Sequence, residues 1–179
     1  MDAFESVVAA ILERDGFWVR TSFKVRLSKE EKREIGRPSS PRWEIDVLAY
    51  RPGDNLLRVI ECKSYLDSRG VTKGGFAADH KRLKLFNDRT LREVVLRSLE
   101  AQLIHDKMIR KRPKIQLCLA AGKIVASEQV WIQSHFQEHG WKLFTPSWIH
   151  DQLEILAADG YENTVAAVTA KMLLRAHAP

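Results

Sequence analysis

The chain has 179 residues, 45% of them hydrophobic and 29% charged, a balance that suits one folded domain and argues against a chain disordered throughout. No apolar run is long enough to span a bilayer. The opening residues carry acids at Asp2 and Glu5 and lack the basic start and small-residue cleavage site of a secretion signal, so a cytoplasmic protein with no membrane partner is expected. The net charge of +6 is concentrated. Ser64 to Lys114 holds 13 Lys and Arg against 6 Asp and Glu, and the rest of the chain is near neutral.

Residues 2–15 place Phe4, Val7, Val8, Ile11 and Leu12 at amphipathic helical spacing, and Gly16 supplies a stop. Phe17 to Leu27 alternates and is rich in β-formers, which predicts a strand. Residues 28–41 are polar, with Gly36, Pro38 and Pro41, and predict a long mobile loop. Arg42–Tyr50 and Leu56–Ser64 read as strands joined by the turn Arg51-Pro52-Gly53-Asp54-Asn55, a β-hairpin. Residues 65–80, with three glycines, predict a flexible connection. A helix is expected over Thr90–Ile109, opened by a Thr90/Glu93 capping pair, burying Val94, Val95, Leu99, Leu103 and Ile104, and stopped by Pro113. Lys114–Ala121 predicts a buried strand, Ser127–His139 a helix, Trp141–Phe144 a short strand. Thr145-Pro146 opens another helix, and residues 162–176 form a last one. No repeat or domain-sized linker appears. The expected organisation is a single α/β domain over residues 1–179 with a mixed sheet.

The hairpin carries the chemistry. One strand reads Trp43-Glu44-Ile45-Asp46-Val47-Leu48, its partner Leu57-Arg58-Val59-Ile60-Glu61-Cys62-Lys63. Residues two apart share a face, so Glu61 and Lys63 project together while Ile60 and Cys62 point into packing. A turn at residues 52–55 sets Asp46 near Glu61 across the ladder. Two neighbouring carboxylates repel, and charge leaves water only when paired or bound to metal. Hard oxygen ligands of this kind suit Mg²⁺ or Mn²⁺, and Lys63 stands ready to orient or deprotonate a water or to hold a phosphate. A salt bridge at the end of a sheet is the competing explanation of the same three residues.

Asp46, fourteen residues, then Glu61-Cys62-Lys63 resembles the Asp…Glu-x-Lys signature of the PD-(D/E)xK superfamily of restriction endonuclease-like nucleases. The element order over residues 2–121 resembles its αβββαβ core, with residues 122–179 left as an αβαα extension outside it. The resemblance implies a metal-dependent endonuclease that hydrolyses phosphodiester bonds, in DNA above other substrates. It implies Asp46, Glu61, Lys63 and Glu5 as catalytic residues and Asp46, Glu61 and Cys62 as holders of Mg²⁺ or Mn²⁺. Ile45 stands where the family often has proline. If the chain acts on DNA, the concentrated basic charge makes Lys73, Lys81, Arg82, Lys84, Arg89 and Arg92 the expected contacts to nucleic-acid phosphates, with Lys111, Arg112 and Lys114 adding to that surface. A homodimer follows from the family by analogy. The chain shows no zinc finger or clear helix-turn-helix, so specificity is expected to rest on DNA shape, on the 28–41 loop or on a partner protein. The alternative is a non-catalytic nucleic-acid-binding or scaffold protein that retains the fold.

Several residues carry a plainer explanation. Glu5 fits a capping box with Asp2 as well as it fits a metal. Glu44 is expected in solvent, and Gln102 as an ordinary exposed helix residue. His135 and His139, four apart but with no Glu directly after His135, are expected at the surface. Cys62 and Cys118 are expected as reduced core thiols and the five tryptophans mostly as packing groups.

Overall fold

A computed structural model describes residues 2–39, 42–78, 80–160 and 162–175. The elements in chain order are α1 (Ala3–Arg14), β1 (Trp18–Val25), α2 (Lys29–Glu34), β2 (Trp43–Arg51), β3 (Leu56–Lys63), α3 (Lys84–Asn87), α4 (Arg89–His105), β4 (Lys114–Ala121), α5 (Gln129–Glu138), β5 (Lys142–Phe144), α6 (Pro146–Ala158) and α7 (Val165–Arg175). The strands form one mixed sheet in sequence order, antiparallel from β1 to β3 and parallel from β3 to β5. The hairpin needs only a tight turn. The parallel step from β3 to β4 needs a crossover, which α3 and α4 supply.

Helices cover both faces because the central strands are apolar on both. Val8, Ile11 and Leu12 of α1 and Ile149 and Leu156 of α6 pack with Val47, Ile60, Cys62 and Cys118. Leu91, Val95, Leu99 and Leu103 of α4 and Ile132 and Phe136 of α5 pack on the other side with Leu57, Val59, Leu117 and Leu119. Such two-sided burial produces continuous apolar runs such as Leu117–Ala121. No helix among the described residues is long and apolar enough to cross a membrane.

The structure departs from the sequence expectation in several places. The expected loop at 28–41 contains α2, capped by Ser28 and Glu31: Glu31 N–H donates to Ser28 Oγ (3.1 Å) and Ser28 N–H to the Glu31 carboxylate (2.7 Å). Ser40 and Pro41 lie outside the described residues. The connection at 65–80 is tied down by buried Val71, which bridges to Ile124, and by a 3-10 turn over Lys73–Phe76; Asp79 lies outside the described residues. The cap of α4 is Asp88, whose carboxylate accepts the Leu91 N–H at 3.0 Å, ahead of the Thr90/Glu93 pair. That helix ends at His105, and Lys107 adopts a left-handed φ of 55°. Trp18 is 68% exposed and Trp131 36%, so packing does not account for all the tryptophans. The last helix begins at Val165, and residues 176–179 lie outside the described residues.

Candidate active site

Asp46 sits where β2 changes face. Thr21 pairs with Val47 and Phe23 with Ile45, but the Ser22–Asp46 pair between them is missing, and Ser22 has a left-handed φ of 51°. Ile45 and Val47, two residues apart, consequently pack on opposite sides of the sheet. The β2–β3 ladder stops at Val47–Ile60. Beyond it the Asp46 carboxylate replaces a ladder carbonyl: Cys62 N–H donates to Asp46 Oδ2 at 2.7 Å. The aspartate is thereby locked beside the end of β3.

Glu61 and Lys63 project from the same side of β3, as alternation requires, with Lys63 Nζ 2.5 Å from Glu61 Oε1. Their side chains are only 14% and 19% exposed. Burial raises the Glu61 carboxyl above its ordinary value; Lys63 opposes the rise, and Asp46 and Glu5 add to it. Burial also raises Asp46, against the Cys62 N–H and Lys63, with Asp2 and Glu44 reinforcing. Burial pulls the Lys63 ammonium down, but Glu61 and Asp46 together hold it above an ordinary lysine. Lys63 thus opposes, without cancelling, the upward pressure of burial on both carboxyls.

Glu5 completes the capping box of α1, accepting the Asp2 N–H at 3.2 Å while its own N–H donates to Asp2 at 2.8 Å. Burial first, and then Asp2 and Asp46, raise its carboxyl, so it lies within electrostatic reach of the site. Among the described residues, however, Glu5 does not join Asp46 and Glu61 in a cluster with all ligand oxygens within 4.8 Å. Glu44 is exposed. The Cys62 thiol packs with Val8, Ile11 and Leu12, and burial holds it protonated far above the usual thiol range, which leaves only its backbone oxygen as a ligand for a metal.

The donor set fits a hard divalent cation. Asp46 Oδ1 and Glu61 Oε2 accept no hydrogen bond among the described residues, while each partner oxygen is anchored by an N–H donor. Two anchored, partly buried carboxylates with one oxygen each to spare are oxygen donors of the class Mg²⁺ and Mn²⁺ take.

The site lies at the carboxyl ends of β3 and β4, where Lys63 pairs with Ala121 and the chain leaves for the 65–82 segment. Tyr65 leaves β3 with a left-handed φ of 47°. Its ring carries the Arg82 guanidinium 6.0 Å above it, beside a 150 Å³ cavity that also meets His80 and Thr72. Of the predicted phosphate contacts, Lys81 and Arg82 are exposed near this end. Lys73 stands over Trp131 at 4.8 Å, and Arg89 pairs with Glu93 at 2.7 Å. Arg92 differs from expectation: half-buried on Trp141, it donates to the Leu85 and Phe86 carbonyls and fastens α3 to α4. Lys84 is half-buried. Lys111, Arg112 and Lys114 sit at the opposite end of the sheet, where Lys114 pairs with Leu56. At ~3.3 Å per residue along β3 they stand on the order of 20 Å from Lys63, so they do not extend the surface beside the carboxylates.

No known protein family matches the chain, and no curated protein or solved structure is significantly similar to it. The site is therefore read from its own chemistry.

Proposed function

We propose that this chain is a metal-dependent endonuclease of the PD-(D/E)xK type that hydrolyses phosphodiester bonds, with DNA as its substrate. The observation that carries the reading is the convergence of Asp46, Glu61 and Lys63 at one end of the sheet, with both carboxyls raised by burial. The sheet of antiparallel β1–β3 extended by parallel β4, with α1 on one face and α4 on the other, accords with the αβββαβ core of that superfamily.

Asp46 and Glu61 would hold the ion, with Cys62 contributing through its backbone. When bound, Mg²⁺ or Mn²⁺ supplies an acidified water and offsets charge on the phosphodiester. Cys62 N–H fixes the Asp46 rotamer, so one oxygen stays aimed at the site. Lys63, kept cationic by the adjacent acids, serves as a donor to a phosphate oxygen or to the attacking water rather than as a free base. Arg82 on Tyr65 positions the nucleic-acid backbone beside it.

One observation favours the non-catalytic alternative: Lys63 and Glu61 already satisfy each other at 2.5 Å, as a structural ion pair would. A cleavage assay with Mg²⁺ on duplex, branched and single-stranded DNA and on RNA separates the two. The nuclease reading expects Mg²⁺-dependent cleavage by the wild type. Asp46→Ala and Lys63→Ala should each lower it by at least about 100-fold, with circular dichroism and DNA affinity retained. Unchanged cleavage in Lys63→Ala refutes its assignment. A wild type that binds DNA but never cleaves it leaves the scaffold reading standing.

A further inference from the structure

The carboxyl end of α5 gathers a second set of ligating groups, away from the carboxylates of β2 and β3. His135, Glu138 and His139 are spaced to share one side of the helix. One ring nitrogen from each histidine and one Glu138 carboxylate oxygen lie within 4.8 Å of one another.

Both rings are held in place. His135 stacks on Trp131, with centroids 4.8 Å apart and planes 13° from parallel. His139 stacks on Trp141 at 4.3 Å and 25°. Nδ1 of His139 lies 2.8 Å from the His135 carbonyl oxygen. A carbonyl only accepts, so Nδ1 carries the hydrogen and Nε2 is the nitrogen whose lone pair the neutral ring offers a metal. A backbone acceptor on the far nitrogen is the usual device that orients a metal-binding imidazole. The contact also gives the His135 carbonyl a second donor in the last turn of α5, beside the His139 N–H that it accepts at 3.3 Å. That role explains His139 alone. It does not explain why His135 is stacked in register with it or why Glu138 closes on the same point.

We propose that His135, Glu138 and His139 form a three-ligand site for Zn²⁺ or a similarly borderline transition-metal ion, its remaining positions open to water. Two imidazoles and a carboxylate are a donor set that zinc accepts and that Mg²⁺ does not favour. The proposal is independent of the nuclease reading. His150, Asp151 and Glu154 on α6 also come within 4.8 Å, but all three are exposed and no ring among the described residues stacks on His150, so they serve as the control.

The test titrates Zn²⁺ alone into the full chain with Mg²⁺ in excess, followed by calorimetry and tryptophan emission. One equivalent is expected, with a change in emission from the stacked Trp131 and Trp141. His135→Ala should weaken binding on the order of 100-fold or more, since even groups outside the ligand shell are worth ~10–100-fold. Glu138→Gln and His139→Ala should weaken it as well. His135→Ala decides the matter, because it leaves the carbonyl that His139 caps intact; circular dichroism confirms that each variant folds. Asp46→Ala and His150→Ala should bind as the wild type does. A wild type that takes up no zinc, or a His135→Ala variant that binds as tightly, overturns the site. So does loss of the equivalent in Asp46→Ala or His150→Ala with retention in His135→Ala.

Discussion

Ser98 shows how a single polar side chain in α4 decides where a peripheral element docks. It is the buried polar residue of the described core, 6% exposed, and its hydroxyl is shared between the Glu31 carboxylate at 2.6 Å and the Val94 carbonyl at 2.8 Å. Burial pushes the Glu31 carboxyl up, but Ser98, the Ser28 N–H and Arg97 outweigh it, and the net shift is downward from 4.5. A depressed acid stabilises the folded state above its unfolded pKa. That contribution fades as pH falls through the folded value. Ser98→Ala should therefore cost about 1–2 kcal/mol at neutral pH, and the gap from wild type in urea midpoints should narrow below pH 4.5. A gap that stays constant from neutral pH down to about pH 3 would count against the Glu31 contact. The sequence could not show this pairing, since Glu31 and Ser98 lie 67 residues apart. Glu61 and Lys63 were legible for the opposite reason, since alternation along β3 fixes their relation locally, and the length of the hairpin carries Asp46 to the same end although alternation along β2 breaks there. What escaped was the Cys62 N–H that anchors Asp46, a backbone group that no side-chain pattern reports.

At the scale of elements, β3 and β4 meet so closely beyond the site that only glycine fits. A Cβ on Gly122 would collide with the Ser64 carbonyl oxygen and come within 3.2 Å of the Ser64 backbone carbons, while Gly122 N–H donates to the Lys63 carbonyl at 2.9 Å. Backbone cannot yield as a side-chain tip can, so Gly122→Ala should cost about 2 kcal/mol or more and disturb Lys63 before it unfolds the sheet. Gly53→Ala, with nothing within 4 Å of the added atom, should stay within roughly 0.5 kcal/mol. Equal thermal shifts for the two would refute the close-approach argument. The hairpin and β4 could be read from sequence because they are short apolar runs rich in strand formers and bounded by turn residues and Pro113, too short for buried helices. Helix α2 could not, because it buries no residue and leaves no apolar stripe. Its one signal was the Ser28-x-x-Glu31 cap, which stood inside a stretch dominated by Gly36, Pro38 and Pro41. The cap of α4 was misplaced for a related reason: Asp88 and Thr90 both offer a capping side chain, and only the approach of α3 selects Asp88.

For the whole molecule, folding redistributes a charge that the sequence shows only as a block. The +7 balance between residues 64 and 114 divides between two ends of the sheet once α4 carries the chain back from β3 to the start of β4. Arg92 is engaged within the protein and Arg89 pairs with Glu93 at the surface, while Lys81 and Arg82 are exposed at the end of the sheet that holds Asp46, Glu61 and Lys63. Lys111 and Lys114 carry the same formal charge at the far end. If the carboxylate site works on nucleic acid, position must count and net charge must not. Two double variants of equal charge separate these: Lys81→Ala with Arg82→Ala, and Lys111→Ala with Lys114→Ala. Every cation withdrawn from a phosphate should reduce the salt slope of duplex binding by about 0.9. The first pair should therefore flatten the slope by roughly 2 and weaken binding at low salt. The second pair should leave slope and affinity near wild type. Identical effects from both pairs would mean that diffuse positive charge, rather than a surface beside the carboxylates, holds the polyanion.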